Sequence, residues 1–283
     1  MIKKNWKLLV LAAVCLAVLV GYRVVTELST DSTAPKIKIS DSGIPEISVY
    51  ETDKLLEGVT ATDDRDGDVT DSVVVEKVGG IMDDGTVTVT YAAFDSSGNV
   101  AKVHRTARYS DYESPRFTLS KSLDFVYGTN LNVLDVVGAE DLLDGDIGYR
   151  VKAISLGSNS INSEGVHSVR FQVTNSLGDT EELVLPVEVH YSGRYNAQLN
   201  LSNYLLYLNV GQSFNPNAYL REYIARGEGI NLSAGIPENL TLKVEGKVDT
   251  TTPGVYVVSY TVSSMVSSTL YEGHARLIVV VEE

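Results

Sequence analysis

One nine-residue pattern occurs twice in this chain and limits how the rest of it can fold. The segment Ala61-Thr-Asp-Asp-Arg-Asp-Gly-Asp-Val69 returns as Ala139-Glu-Asp-Leu-Leu-Asp-Gly-Asp-Ile147, 78 positions later (139 minus 61). Both copies keep the alanine, an Asp at the third position, the Asp-Gly-Asp triplet and a β-branched last residue. Chance rarely matches nine positions this well, so the pattern indicates an internal repeat, and the repeat sets the domain organisation.

Two further segments recur at nearly the same distance. The pattern of Asp31-Ser-Thr-Ala-Pro35 returns in Asp111-Tyr-Glu-Ser-Pro115, 80 positions later (111 minus 31). The turn Asp95-Ser-Ser-Gly-Asn99 returns as Asn175-Ser-Leu-Gly-Asp179 at the same distance (175 minus 95). In 283 residues this spacing predicts three units of about 80 residues, near the size of an immunoglobulin-like sandwich. We expect three such domains with these bounds: 35–110, 111–192 and 196–283.

The predicted elements outside the N-terminal region are β-strands. The clearest is Thr86–Phe94, where Val87, Val89 and Tyr91 alternate with threonines and so share one face. Valine and tyrosine are frequent, and such residues suit a pleated, half-buried surface. We therefore expect an all-β fold of tandem immunoglobulin-like β-sandwiches preceded by one N-terminal transmembrane helix.

The order of these motifs resembles a known family. Asp66-Gly-Asp-Val-Thr70 precedes Val89-Thr-Tyr91, which leads into Phe94-Asp-Ser-Ser-Gly-Asn99, and this order is similar to that of the bacterial surface immunoglobulin-like repeats. That family also occurs in a pesticidal crystal protein, and hyalin-type repeats look similar. The resemblance is best over residues 35–109 and 114–191. It implies a β-sandwich used for spacing, adhesion or carbohydrate contact, without catalysis of its own.

The third predicted unit departs from this pattern. It has no Asp-Gly-Asp, and its segment Asn217 to Ala225 is compatible with a short helix or a strand. Terminal units of repeat arrays are often atypical, because one end lacks a neighbour. We therefore expect the third unit to carry the specific binding surface, so that deleting residues 196–283 would abolish binding and leave the first two units folded.

Charge and cysteine content restrict the function and the compartment. The net charge of −14 opposes nucleic-acid binding, which needs Lys and Arg to neutralise phosphates. The single cysteine, Cys15, lies in the apolar N-terminal stretch, so no disulfide can form within the part predicted to be exported. Exported sandwiches of animal cells often carry disulfides, and their absence here favours a bacterial surface protein.

The N-terminal region predicts a membrane anchor. Lys3, Lys4 and Lys7 precede an uncharged apolar stretch, which places the N-terminus in the cytoplasm and the later domains outside the cell. Twenty residues from Trp6 to Val25 are enough to cross the bilayer core. A cleaved signal peptide is the alternative, although good cleavage residues are missing. The expected segments are a basic cytoplasmic tail at 1–5, the anchor at 6–25 and a linker at 26–34.

The two acidic loops are candidate calcium sites. Ca²⁺ takes six to eight oxygen ligands, which clustered carboxylates and loop carbonyls can supply. Asp and Gly are also ordinary turn formers, so the same loops can be explained without a metal. The candidate ligands, in the first and then the second loop, are Asp63, Asp64, Asp66 and Asp68, followed by Asp141, Asp144 and Asp146.

No catalytic pattern accompanies these loops. The four histidines lie on strand-like segments without metal-ligand spacing, and no phosphate-binding loop or nucleophile elbow is present. We therefore expect a non-catalytic, single-pass surface protein that binds a protein or carbohydrate and needs no cofactor, with Ca²⁺ at the acidic loops as the one candidate ligand. An accessory or sensor subunit of a bacterial envelope complex is the alternative.

Overall fold

The computed structural model of the chain describes residues 6–29, 31–40, 43–82, 84–129, 132–155, 161 and 163–283. The predicted basic tail at 1–5 lies outside the described residues. Contacts between residues divide the chain into two compact units, Met1–Tyr112 and Glu113–Glu283.

Helix α1 spans Trp6–Ser29. Its segment Trp6–Val25 has a mean hydropathy of 2.5, and none of that segment is buried against the protein. This length and composition suit a membrane-crossing helix, and they suit a signal sequence equally well. The helix continues through Ser29, beyond the predicted anchor and into the predicted linker, because Glu27 and Leu28 are good helix formers.

Two sheets follow in the first unit. One has the order β1-β3-β4, and the other has the order β2-β7-β6-β5 with β2 parallel to β7. The chain therefore changes sheets between its first and second strands. The strands are β1 Lys36–Ile39, β2 Glu46–Ile47, β3 Val59–Asp63, β4 Gly67–Asp68, β5 Val74–Val78, β6 Thr86–Phe94 and β7 Val100–Tyr109.

Strand β6 forms the centre of the core of this unit. Its predicted bounds are confirmed, and Val87, Val89 and Tyr91 are fully buried on one face. The Tyr91 hydroxyl donates a hydrogen bond of 2.6 Å to the carbonyl oxygen of Leu55, which satisfies a buried polar group. The alternation of threonine with apolar residues thus places β6 in the sandwich interior.

The second unit begins with the same arrangement of strands. Its sheets have the orders β11-β10-β8 and β12-β13-β14-β9, with β9 parallel to β14. These strands are β8 Arg116–Leu119, β9 Asp124–Val126, β10 Val137–Asp141, β11 Gly145–Asp146, β12 Lys152–Ser155, β13 Gly165–Thr174 and β14 Thr180–His190.

The remaining strands form a third set in the same unit. Their order is β18-β17-β15-β21-β20-β19, and β16 also pairs with β21. Residues 217–225 adopt both predicted conformations in turn: a 3₁₀ turn at Pro216–Tyr219 leads directly into β17. These strands are β15 Ala197–Leu201, β16 Leu205–Asn209, β17 Leu220–Ala225, β18 Glu228–Asn231, β19 Leu240–Glu245, β20 Gly254–Val266 and β21 Thr269–Glu282.

Strand β21 is buried on both faces and joins two cores. Leu277, Val279 and Val281 belong to the core of the third set of strands. Ile278 and Val280 belong instead to the core of the preceding sandwich. An uninterrupted apolar run is typical of a strand covered on both sides. The predicted domains 111–192 and 196–283 therefore pack together as one compact unit. The expected all-β, immunoglobulin-like fold preceded by one apolar helix is confirmed.

Candidate functional site

The first acidic loop is a tight hairpin between β3 and β4. Asp63 pairs with Gly67, whose φ of +77° is a left-handed conformation that glycine adopts without strain. The Asp63 Oδ1 atom accepts hydrogen bonds from the backbone amides of Arg65, at 2.9 Å, and Asp66, at 3.1 Å. One oxygen of Asp63 thus holds the turn closed.

The other candidate ligands of this loop have separate roles. Asp64 is exposed. The Asp66 carboxylate accepts hydrogen bonds from the backbone amide and the hydroxyl of Ser96, at 2.7 and 2.9 Å. Asp68 accepts one from the Thr70 amide, and its bonds from Thr70 lower the pKa of Asp68. Asp66 and Asp68 therefore brace loops, and among the described residues they do not join Asp63 in a group of three carboxylates.

Asp63 meets two acidic residues from outside its loop. One oxygen each of Asp31, Asp63 and Asp95 lies within 4.8 Å of the others, and all three residues are buried. Asp31 precedes β1, whereas Asp95 opens the turn after β6. Sequence analysis placed Asp31 in the linker and Asp95 in a hairpin turn. The position of Asp63 at the end of β3 and of Asp95 directly after β6 is a sequence signal for those two residues, whereas Asp31 lies five residues before β1 and has no such signal.

The second acidic loop repeats the turn but not the carboxylate group. The Asp141 Oδ1 atom accepts hydrogen bonds of 2.9 Å from the amides of Leu143 and Asp144, as Asp63 does in the first loop. Its Oδ2 atom accepts a bond of 3.1 Å from the side-chain amide of Asn175, which replaces Asp95 in the repeat. Both oxygens of Asp141 are therefore satisfied by the protein itself.

The two remaining candidates in this loop also brace it. Asp144 accepts hydrogen bonds from the amide and hydroxyl of Ser176, at 2.7 and 2.6 Å, and pairs with Arg150 at 2.7 Å. Asp146 accepts a bond of 2.9 Å from the Gly148 amide. The hydrogen bonds to Ser96 and Ser176 are equivalent in the two loops, which explains why Asp-Gly-Asp recurs without requiring a metal.

A separate cleft of about 720 Å³ lies in the second unit. Its volume is in the usual range of small-ligand pockets. Hydrogen-bonding side chains line it from the second predicted domain and from the third. They include Lys121, Asn132, Asp135, Gln198, Asn200 and Tyr204. The cleft therefore depends on the packing of both domains.

A network of charged groups lies behind one wall of this cleft. The Glu188 carboxylate lies 3.6 Å from the guanidinium groups of both Arg194 and Arg276. The Arg276 side chain is buried and also donates a hydrogen bond to the Pro186 carbonyl oxygen. Asp124 accepts a bond of 3.1 Å from the Ser122 hydroxyl, while burial raises the pKa of Asp124. This network fixes the wall on β9, β14 and β21.

Three aromatic rings pack together beside the charged network. Tyr195 lies parallel to His274, with ring centroids 4.6 Å apart, and edge-on to His190 at 5.1 Å. Burial lowers the pKa of His274 to about 4, and its Nε2 atom has no hydrogen-bond partner among the described residues. The sequence treats these histidines as scattered strand residues. The fold instead brings His190 and His274 to the same cleft, a pairing that their spacing does not reveal.

Comparisons with known proteins leave the family of the chain open. No protein-family model matches it, and no curated protein matches it significantly. Solved structures similar to it include CBM51-2 in complex with GlcNAc and INT domains from Clostridium perfringens ZmpB, at 20% identity and a TM-score of 0.22. That alignment covers 59% of this chain and 31% of that one.

Two cadherin structures are also similar. Mouse cadherin-23 EC22-24 is 11% identical, with a TM-score of 0.19, and the alignment covers 89% of this chain and 99% of that one. The protocadherin γB4 extracellular domain is 10% identical, with a TM-score of 0.19, and the alignment covers 79% of this chain and 45% of that one. The chain thus spans less than half of the Clostridium perfringens and protocadherin structures. The immunoglobulin-like assignment rests on its own strand order.

Proposed function

We propose that this chain is a non-catalytic binding protein of the bacterial cell surface, anchored by α1, that takes a carbohydrate in the cleft of its second unit. The cleft is the observation that carries this function. Its volume suits a small oligosaccharide. The amide side chains of Asn132, Gln198 and Asn200 make hydrogen bonds within the protein, and because each amide has two N–H groups and two acceptor lone pairs, it can also bond to a ligand. Sugar hydroxyls need that combination, because each of them donates and accepts.

The surrounding residues make the cleft a preorganised site. Tyr195 is held between His190 and His274, while Glu188 and the two arginines fix the strands behind it. Groups already fixed by packing lose little conformational entropy when a ligand binds. The sandwich arrangement and the equivalent loop bonds further support membership of the bacterial surface immunoglobulin-like repeats, with the first unit acting as a spacer.

Removing the amides of the cleft is expected to weaken carbohydrate binding. Each hydrogen bond to a neutral ligand contributes about 0.5–1.5 kcal/mol, so the double variant Asn132→Ala, Gln198→Ala should bind about tenfold more weakly. Binding is measured on a printed oligosaccharide array, and then by titration with the best sugar. Asn217→Ala, at an exposed position outside the cleft, is the matched control and should bind as the wild type does.

Three results would contradict this proposal. They are an array without any bound sugar, equal affinities of the double variant and the control, and release of reducing ends on incubation. The last result would show glycosidic cleavage and would replace a binding protein with an enzyme.

The anchor is tested by the N-terminus of the mature protein. If α1 remains in the membrane, protein extracted with detergent keeps its N-terminal residues and stays with the membrane at high pH. Trp6 at one end and Tyr22 near the other end are placed where aromatic side chains favour the bilayer interface. A mature protein beginning near residue 26 would identify the segment as a cleaved signal peptide.

A second function is favoured by one feature of α1. Ala13, Ala17 and Gly21 recur every fourth position and therefore share one helix face. Small residues at this spacing let transmembrane helices approach closely. An accessory or sensor subunit of an envelope complex would use such a face, and co-purification of partners with the intact chain, but not with a Gly21→Leu variant, would support it.

A further inference from the structure

We propose that Asp31, Asp63 and Asp95 form a calcium site that ties the segment after α1 to the first immunoglobulin-like domain. The three carboxylates come from separate parts of the chain, and each offers an oxygen within 4.8 Å of the others. Their exposed fractions are only 8–9%. Three like charges at such distances repel one another strongly unless a proton or a cation compensates them.

Hydrogen-bond donors of the protein hold two members of the group in position. The Asp95 Oδ1 atom accepts a hydrogen bond of 2.8 Å from the Asn99 backbone amide. The Asn99 amide nitrogen donates to Asp95 Oδ2 at 2.7 Å. The Thr33 backbone amide donates to Asp31 Oδ1 at 2.9 Å. These bonds orient the Asp31 and Asp95 carboxylates beside that of Asp63.

One oxygen in the group has no partner within the protein. The Oδ1 atom of Asp63 closes the acidic loop, whereas its Oδ2 atom is buried and accepts no hydrogen bond from the described residues. A buried carboxylate oxygen without a partner costs free energy. A bound cation would compensate both this orphan atom and the repulsion between the three charges.

The donor set selects the kind of cation. It consists of carboxylate oxygens alone, without the His or Cys ligands that zinc and other transition metals prefer. Mg²⁺ demands nearly ideal octahedral geometry, while Ca²⁺ accepts irregular sets of six to eight oxygens. Carbonyl oxygens and water would complete the shell. The chemistry therefore favours Ca²⁺.

In the second acidic loop, a hydrogen bond occupies the position that a cation would take in the first. There the amide of Asn175 replaces the carboxylate of Asp95 and donates to the second oxygen of Asp141. A hydrogen-bond donor thus stands where the first loop would need a positive ion. Asp95→Asn should introduce the equivalent hydrogen bond, from the new amide to Asp63 Oδ2, into the first unit. This variant is therefore the decisive test of the calcium site.

The position of Asp31 gives the site a mechanical role. α1 ends at Ser29, and Asp31 lies in the segment between that helix and β1. The backbone oxygen of Asp31 already accepts a hydrogen bond of 3.2 Å from the Asn99 side chain. Calcium would add bonds from Asp31 to the ends of β3 and β6. It would thereby stiffen the connection between anchor and domain.

The test is calcium titration of the full chain in detergent by calorimetry, together with thermal unfolding. We expect one Ca²⁺ per chain with a Kd of about 10⁻⁵–10⁻³ M, the range of moderate to weak calcium sites. Free Ca²⁺ at ten times its Kd should raise the Tm of the first unit by about 6–11 °C. Asp95→Asn should bind at least about 30-fold more weakly, have a calcium-free Tm at least as high as that of the wild type and lose the calcium-dependent shift.

Asp64→Asn is the matched control, because it removes the same charge from an exposed position of the same loop. It should bind as the wild type does. If Asp95→Asn fails to fold, Asp31→Asn tests the site from the segment before β1. The proposal is overturned by absence of binding at 5 mM Ca²⁺, by equal effects of the Asp95 and Asp64 variants, or by an equal Tm shift with Mg²⁺.

Discussion

Ile278→Ala is expected to lower the free energy of unfolding of the second unit by about 2–5 kcal/mol. Ile278 is 1% exposed and lies on the face of β21 that packs into the preceding sandwich, in one core with Phe117, Phe171 and Val280. Truncation removes buried methyl groups and leaves a cavity that close-packed neighbours fill only in part. Ile278 lies on a strand of the third set, but its side chain packs in the core of the second predicted domain. Its truncation should therefore destabilise both domains.

Hydrogen exchange followed by mass spectrometry measures the effect segment by segment. Amides of β13 and β20 should both lose protection in Ile278→Ala, since the two cores meet on β21. Ile154→Ala is the matched control, because that isoleucine is 48% exposed on β12 and its truncation should cost less than about 1 kcal/mol. Loss of protection in β20 alone would show that the two predicted domains unfold independently.

The shared core also changes the expected result of truncation. Deleting residues 196–283 would remove Leu205, Ile278 and Val280 from the core of the preceding sandwich. It would also remove the Tyr207 hydroxyl, which accepts a hydrogen bond of 3.1 Å from the Phe117 amide. The second predicted domain should therefore not remain stably folded after this deletion, and point variants are the better means of locating the binding surface.

Local sequence patterns predict the strands of this protein well. Alternation in β6 places Val87, Val89 and Tyr91 in the core, and Asp-Gly-Asp marks both hairpin loops. The ambiguity at residues 217–225 is physical, since a 3₁₀ turn and a strand adjoin there. The uninterrupted apolar run Leu277–Val281 indicates a strand that is buried on both faces. The run itself does not predict which part of the protein covers the second face.

Long-range packing creates the candidate sites, and local patterns do not encode it. Asp31 has the sequence context of a polar linker, and only folding places its carboxylate beside that of Asp63. Strands β15 to β20 separate His190 from His274 in the sequence, and folding brings both rings into contact with Tyr195. The sequence therefore predicts which loops carry acidic residues, but not which of their carboxylates converge.

Acidification from pH 6.5 to 4 is expected to destabilise the second unit through His274. Burial lowers the pKa of His274 to about 4, the charges of Arg276, Arg194 and His190 add to this, and Glu188 opposes it. Below pH 6.5 the unfolded chain binds a proton at this histidine, whereas the folded chain does not until about pH 4. The contribution of His274 to the free energy of unfolding is therefore fully present above pH 6.5. It falls by about 2–3 kcal/mol between pH 6.5 and pH 4, after allowance for partial exposure of the ring.

His274→Gln removes the titrating group and should flatten this pH dependence. The variant is expected to be somewhat less stable than the wild type at pH 7, where it loses the stack on Tyr195, and to recover relative to it as the pH falls. Denaturant unfolding at several pH values, followed by hydrogen exchange in β21, measures the difference. Burial raises the pKa of Asp124, which opposes the trend at the acidic end, and comparison of the two proteins cancels that contribution.

His104→Gln is the control, because His104 is exposed on β7 in the other unit and should leave the acid response of β21 unchanged. If the free energy of unfolding depends on pH in the same way in the wild type and in His274→Gln, the acid response does not come from His274. A neutral His274 also keeps Tyr195 stacked at the cleft. Protonation would place a cation beside Arg194 and Arg276, so carbohydrate binding and the stability of the unit should decline over the same pH range, and His274→Gln should uncouple both from pH.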